Sequence, residues 1–258
     1  MPSDRGLEPS AGPSPLTWVL TISVVWLGVI SGAHLLLNRT PDGRETVVMG
    51  YMPVITNLSC PLVAAASEDT GDIRFEALKF QSFAEMAEAL RNGHIDAAFM
   101  IAPLAVVLHQ QGEAVRVVYI GNRHESTLVV RSDLGAASFA DLRGHTLAVP
   151  MRYSGHNLVA LRLMEELGLG PGEVRLVEMN PPDMASALAA GALDAYFVGE
   201  PFADQTVRSG DARVLLRVEE VSPGFICNLL VVRDRFIDRR PGAVRALVHG
   251  AVRAGLWA

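Results

Sequence analysis

Six consecutive residues, Arg152-Tyr153-Ser154-Gly155-His156-Asn157, bring a guanidinium, two hydroxyls, an imidazole and a carboxamide together directly after the apolar run HTLAVP (145–150). A strand that ends in such a loop and opens a helix leaves the first N–H groups of that helix unpaired and partly positive. The junction therefore suits an anionic or polar ligand. Ser154 fits an ordinary helix N-cap equally well, with its neighbours solvated. Four further junctions offer smaller sets: Tyr51-Met52-Pro53 through Asn57, Gln81-Ser82, Ile101-Ala102-Pro103 and Gly199-Glu200-Pro201. The expected ligand contacts drawn from these loops are Pro53, Asn57, Gln81, Ser82, Ala102, Arg152, Tyr153, Ser154, His156 and Glu200. A carboxylate at Glu200 repels an anion unless it pairs with Arg152, and it suits an amine. Arg123 and His124 read as solvated loop residues, and His94 and His145 as turn residues facing water. No Ser-His-Asp spacing, glycine-rich phosphate loop or Cys-x-x-Cys pattern accompanies them, so no catalytic triad, cofactor or metal is expected.

The elements that must position these loops are marked by a repeat. MAEALRNGHIDAAF (86–99) and MASALAAGALDAYF (184–197) agree at eight of fourteen positions, at a constant offset of 98. Each copy is a short amphipathic helix, a glycine suited to the left-handed C′ position, and a strand buried on both faces. That offset is too long for a solenoid repeat and fits two like-built lobes with a cleft between them. Strand signals occur at 46–51, 73–80, 95–100, 115–121, 126–131, 145–150, 173–179, 193–198, 212–218 and 225–233. Helix signals occur at 58–68, at 83–91 capped by Ser82, at 103–110, at 157–167 closed by Gly168, after an N-cap at Asp183, at 201–208 and at 241–257. Alternation of this kind predicts parallel sheets covered by helices, with 126–131 and 225–233 crossing between the lobes.

Net charge is −6 and Lys79 is the only lysine, so no basic field exists to gather nucleic acid. Leu16 to Leu37 is free of formal charge and long enough to span a bilayer. It exceeds the usual signal-peptide core of about 7–15 residues, which favours an uncleaved anchor over a leader cut near Ser31-Gly32-Ala33. On either reading the remainder is exported. Cys60 and Cys227 either pair or stand as separate buried thiols. The expected organisation is a tail at 1–15, a transmembrane or signal segment at 16–37 and a linker at 38–45. A first lobe of 46–131 plus 225–258 and a second of 132–224 follow.

Three segments carry a family resemblance. They are 80–131, 141–205 with its VGEPF, and FICNLLVVR followed by RRPGAVRALVHGAVRAGLW. Together with their flanks, covering 46–258, they resemble the type II periplasmic binding proteins of ABC importers. The nearest likeness is to the nitrate/sulfonate/taurine/bicarbonate group, which has relatives among thiamine-pyrimidine synthases. The resemblance implies a two-lobed, type II periplasmic-binding-protein-like α/β fold behind the N-terminal helix. It further implies a monomeric, non-enzymatic component at the periplasmic face of the inner membrane, capturing a small anion in the inter-lobe cleft. An ABC permease and its ATPase would be its partners. The same fold also carries pyrimidine-precursor binding or synthesis enzymes, and sensor or partner-binding modules. Two departures stand out: family members usually add helices after one like 241–257 to complete the first lobe, and many are cleaved proteins or lipoproteins.

Overall fold

The structure, a computed structural model, describes residues 15–37 and 43–257. The expected tail up to residue 14 and most of the expected linker, 38–42, lie outside the described residues. The chain divides into two units, the first ending at Arg44. Its described element is α1 (Pro15–Leu37), an apolar helix whose Pro15–Leu36 stretch is long and apolar enough to cross a membrane. Within it Thr21 Oγ1 donates to the Thr17 carbonyl at 2.8 Å, which satisfies a hydroxyl that lipid would otherwise leave unpaired.

The second unit begins at Glu45. It opens with β1 (Glu45–Tyr51), α2 (Ser59–Ser67), β2 (Ile73–Lys79), α3 (Phe83–Asn92), β3 (Ala97–Ile101), α4 (Ala102–Gln110) and β4 (Val115–Ile120). Then come β5 (Ser126–Arg131), β6 (Thr146–Val149), α5 (Gly155–Glu166), β7 (Arg175–Glu178), α6 (Pro181–Ala189), β8 (Ala195–Gly199), α7 (Phe202–Ser209) and β9 (Ala212–Arg217). The unit closes with α8 (Val218–Val221), β10 (Asn228–Arg233), α9 (Asp234–Arg239) and α10 (Pro241–Trp257).

Two five-stranded sheets result, ordered β2-β1-β3-β10-β4 and β7-β6-β8-β5-β9. They are copies of one plan. The parallel register pairs Met49 with Ala97 in the first sheet and Leu147 with Ala195 in the second, so the offset of 98 holds across whole lobes. Each sheet is completed by an antiparallel strand from elsewhere in the chain: β10 enters the first, β5 the second. The expected boundary at Arg131 therefore moves, because β5 pairs with β8 and β9 and belongs to the second lobe.

The repeat is scaffold. Gly93 (φ 79°) and Gly191 (φ 75°) take the left-handed conformation that ends each helix at little cost only for glycine. In β3, Ala98 and Met100 face one core while Ala97 and Phe99 face the other, and β8 divides Tyr196 and Val198 from Ala195 and Phe197 in the same way. The repeated aspartates do parallel jobs. Asp96 accepts from the Val48 N–H (3.2 Å) and from Arg233 (3.3 Å), and Asp194 accepts from the Thr146 N–H (2.9 Å) and from Arg131 (3.3 Å). Each carboxylate thus ties a parallel strand to the antiparallel one that joins its sheet. His145, expected to face water, lies 3.3 Å from Asp194.

The second repeat helix starts earlier than Asp183. Asn180 is its N-cap, Pro181 supplies the fixed φ of the first turn, and Asp183 falls inside that turn. Cys60 and Cys227 are both free and buried, in the cores of different lobes, so they do not pair.

Candidate functional site

Where the chain passes between lobes, its two crossing segments run as an antiparallel ribbon. Gly121 N–H donates to the Asn228 carbonyl (3.0 Å), Cys227 N–H to Asn122 (3.1 Å) and His124 N–H to Phe225 (3.0 Å). His124 (φ 65°) and Glu125 (φ 58°) adopt left-handed backbone that side-chain-bearing residues rarely take. Arg123, exposed as expected, and His124, half-buried, also hold the ribbon together. The Arg123 guanidinium donates to the Gly224 carbonyl at 2.7 Å, and the Gly224 N–H donates to His124 Nε2 at 3.1 Å. Strained, hydrogen-bonded crossing segments at the junction of two packed bodies are the geometry of a hinge.

Beyond the carboxyl ends of the parallel strands the lobes face each other, and they stand closed. The Ile55 N–H of the first lobe donates to the Glu200 carbonyl of the second at 2.8 Å. Between them lies a small enclosed cavity lined by residues of both lobes, among them Thr56, Asn57, Ile101, His156, Cys227 and Asn228. It has room for about one water, ≈ 10 Å³. Four buried polar atoms on its lining residues have no partner: Asn57 Oδ1, His156 Nδ1 and both amide atoms of Asn228. Each unpaired buried polar atom costs about 1–3 kcal/mol, so clustering them in one cavity is expensive without an occupant. A vestibule of about 380 Å³ adjoins it, sharing Phe83 and Pro150 and adding Ser82, Met151, Glu178, Asn180 and Asp183.

His156 sits 2 % exposed on the first turn of α5. Its Nε2 is 2.9 Å from Ser126 Oγ, and its ring packs edge-on against Phe197 with centroids 5.1 Å apart. Gly155 admits the Phe225 ring beside it, since a Cβ there would stand 2.5 Å from that ring. Burial pushes the His156 pKa from 6.5 down to about 3, so the ring is neutral. Because its folded value lies below its unfolded one, the stabilisation is complete above pH 6.5 and drains as the pH falls toward about 3, at up to ~1.4 kcal/mol per pH unit. Urea unfolding between pH 7 and pH 4 is expected to show this slope in the wild type and a shallower one in His156→Gln. Parallel slopes would contradict a buried neutral ring.

The expected contacts separate into groups. Asn57 and His156 line the cavity and Ser82 the vestibule, where Ser82 also caps α3 by accepting from the Ala84 N–H at 3.2 Å. Ser154 is fully buried as the N-cap of α5, accepting from the Asn157 N–H at 3.1 Å. The Ala102 N–H is spent on the Cys227 carbonyl at 3.3 Å. Pro53, Gln81 and Tyr153 line neither space; Gln81 and Tyr153 are exposed and Pro53 half-buried.

The suggested pairing of Arg152 with Glu200 does not occur. Arg152 reaches outward to Glu178 at 2.7 Å, because an acid stands beside it at the end of β7. Glu200 accepts from Thr127 Oγ1 (2.8 Å) and from the Asp204 N–H (2.9 Å), serving as a cap for α7. The exposed Arg152–Glu178 pair is expected to be worth no more than ~1 kcal/mol, so Arg152→Ala should leave the urea midpoint nearly unmoved. A larger loss would give Arg152 a structural role that its exposure denies.

Thr56, Cys227 and Asn228 also line the cavity, and Ser126 bonds the His156 ring. One signal was available: Asn228 is a lone carboxamide inside the apolar strand FICNLLVVR. A larger concavity, about 690 Å³, lies elsewhere, between α2, the start of β2 and α10. It is an apolar groove at the strand ends opposite the hinge and gathers none of the unpartnered atoms named above.

Comparison with known proteins agrees with this architecture. A family model described as NMT1-like matches residues 41–258. The taurine-binding periplasmic protein of Escherichia coli is 28% identical over 181 residues, covering 68% of this chain and 55% of that protein. The chain thus spans about half the length of the curated relatives it matches. The ligand-binding component of an ABC-type import system from Staphylococcus aureus superposes with a TM-score of 0.75 at 24% identity, covering 82% of this chain and 74% of that one. The periplasmic nitrate-binding protein of Synechocystis superposes with a TM-score of 0.74 at 19% identity, covering 83% and 62% respectively. These likenesses show the fold, a two-lobed periplasmic-binding-protein-like arrangement. The family match runs through both lobes and both crossing strands, and the chain belongs to the NMT1-like family.

Proposed function

We propose that this chain is the solute-binding component of an ABC-type importer, holding a small solute between its lobes outside the cytoplasm. Its partners would be a permease and an ATPase, and α1 would serve as membrane anchor or export signal. One observation carries the reading. Residues of both lobes that line one cavity carry buried, unpartnered polar atoms, at the cleft that a strained two-stranded hinge would open and close. A ligand that satisfies those atoms stabilises the closed state over the open one, which is the differential affinity that closure requires. The names of the relatives, a taurine-binding and a nitrate-binding periplasmic protein among them, support an importer role and a solute of that size.

Binding is favoured over catalysis by the state of the nearest reactive groups. Ser126 Oγ lies between His156 Nε2 at 2.9 Å and Cys227 Sγ at 3.8 Å, which invites comparison with a nucleophile and its base. Burial pushes the Cys227 thiol up to about 11 and the histidine down to about 3, leaving a protonated thiol beside a feeble base. No acid orients His156 Nδ1, which is without a partner. Calorimetric titration of the purified full-length protein with candidate solutes, followed by chromatographic recovery of each, tests the reading. Saturable 1:1 binding with the solute returned unchanged is expected. Conversion of a bound solute, or the absence of any binding, would overturn it.

A further inference from the structure

We infer, on the solute-binding reading above, that the occupant of this cleft is an uncharged molecule of carboxamide or urea type that both donates and accepts hydrogen bonds, and not a bare oxyanion. Asn57 is the decisive residue. Its amide nitrogen is committed to the Phe99 carbonyl at 3.3 Å, so the atom left without a partner is the acceptor Oδ1. An occupant that satisfies this fully buried oxygen must bring an N–H or O–H. Nitrate and alkanesulfonates carry neither. Asn228, 2 % exposed, leaves both its amide oxygen and its amide nitrogen unpartnered, and so asks for a molecule that offers an acceptor and a donor together.

The starts of α4, α6 and α7 offer an anion little. No charged residue lines the cavity. At the lobe junction Arg152 pairs with Glu178 and Arg123 donates to the Gly224 carbonyl. Helix α6 opens with Pro181 and Pro182, which have no N–H, and its Asp183 N–H bonds the Asn180 carbonyl at 2.9 Å. At the start of α7 the Asp204 N–H is taken by the Glu200 carboxylate, and at α4 the Ala102 N–H is taken by Cys227 with Pro103 next in line. The vestibule adds Asp183, whose charge opposes an approaching anion, beside Glu178, which Arg152 balances. His156, neutral and with Nδ1 free, supplies a donor or an acceptor according to its tautomer, but no charge. At about 10 Å³ the cavity is smaller than any such solute, so the lobes must part at the hinge to admit one and close around it less tightly than they stand here.

The test is calorimetric titration and thermal shift of the full-length protein with three uncharged probes, acetamide, urea and uracil, and three charged ones, nitrate, methanesulfonate and taurine. At least one uncharged probe is expected to bind saturably and at least about tenfold more tightly than every charged probe, a difference of about 1.4 kcal/mol. Asn57→Ala and Asn228→Ala are each expected to weaken that binding at least about tenfold, with a cooperative melt retained. Should Asn57→Ala fail to fold, Asn228→Ala decides. Tighter binding of a charged probe overturns the inference and leaves the solute-binding reading standing, as does unchanged affinity in the folded variants. If none of the six binds, both fall.

Discussion

Asp96→Ala is expected to cost about 3–5 kcal/mol, clearly more than the ~1–3 kcal/mol expected for the equivalent Asp194→Ala. Both aspartates close the same strand-to-strand tie, and what differs is the arginine each would abandon. Arg233 is only 11% exposed, its Nε already lacks a partner, and burial pulls its pKa down. Asp96 is its one acidic partner among the described residues, so the alanine variant strands a buried cation. Arg131 is 30% exposed and keeps Asp133 at 2.6 Å when Asp194 is removed. Its remaining loss is the bond to the Thr146 N–H at 2.9 Å and the contact with His145. Urea unfolding of the two variants checks the order. Equal losses, or a larger loss for Asp194→Ala, would show that the arginines do not set the cost.

Phe99→Ala and Phe197→Ala should each destabilise the protein by about 3–5 kcal/mol, a large part of the stability of any domain. Both rings are wholly buried and occupy the last position of the repeat, each in the core of its own lobe. Their neighbours differ, and so should their second effects. Phe197 is the edge-on partner of His156, so its loss frees the imidazole that lines the cavity and weakens solute binding. Phe99 meets the site only through its carbonyl, which holds the Asn57 amide and survives truncation of the ring. Below its melting temperature, Phe99→Ala should bind as the wild type does. Unfolding free energies and titration of the two variants separate these effects, and equal binding losses would contradict the role of Phe197 in holding the His156 ring.

Much of the fold was legible because the repeat fixed a register. An eight-in-fourteen match at an offset of 98 announced two lobes, and the paired sheets carry that same offset through Met49–Ala97 and Leu147–Ala195. The exchange of β5 and β10 was less so. An apolar run such as STLVVR is equally at home in either sheet, and only its pairing with β8 and β9 assigns it. Asp183 looked like a cap because its type suits one, but Pro181 at the first helical position claims the earlier start. At the cleft, the junction rule led to Asn57, Ser82 and His156, since strand-to-helix loops in parallel sheets gather at one edge. It overvalued Arg152, because nothing in the chain order around residue 152 reveals the acid that β7 sets beside it. It missed Ser126 and Asn228, which enter from the antiparallel strands and sit at matching places in the two sheets, opposite Gly199 and Ile101.

Closure of the two lobes over a solute can be measured directly by pulsed electron paramagnetic resonance. Spin labels would be placed at Gln81→Cys in the first lobe and Asp183→Cys in the second, two exposed positions beside the mouth of the cleft. The native thiols are buried, so they do not compete for label. The expected result is a broad inter-lobe distance distribution in the free protein that narrows to its short component when a binding probe is added, while a label pair within the first lobe is unchanged. A distribution identical with and without a bound probe would contradict the hinge, and with it the claim that the buried polar cavity is a site closed by the lobes.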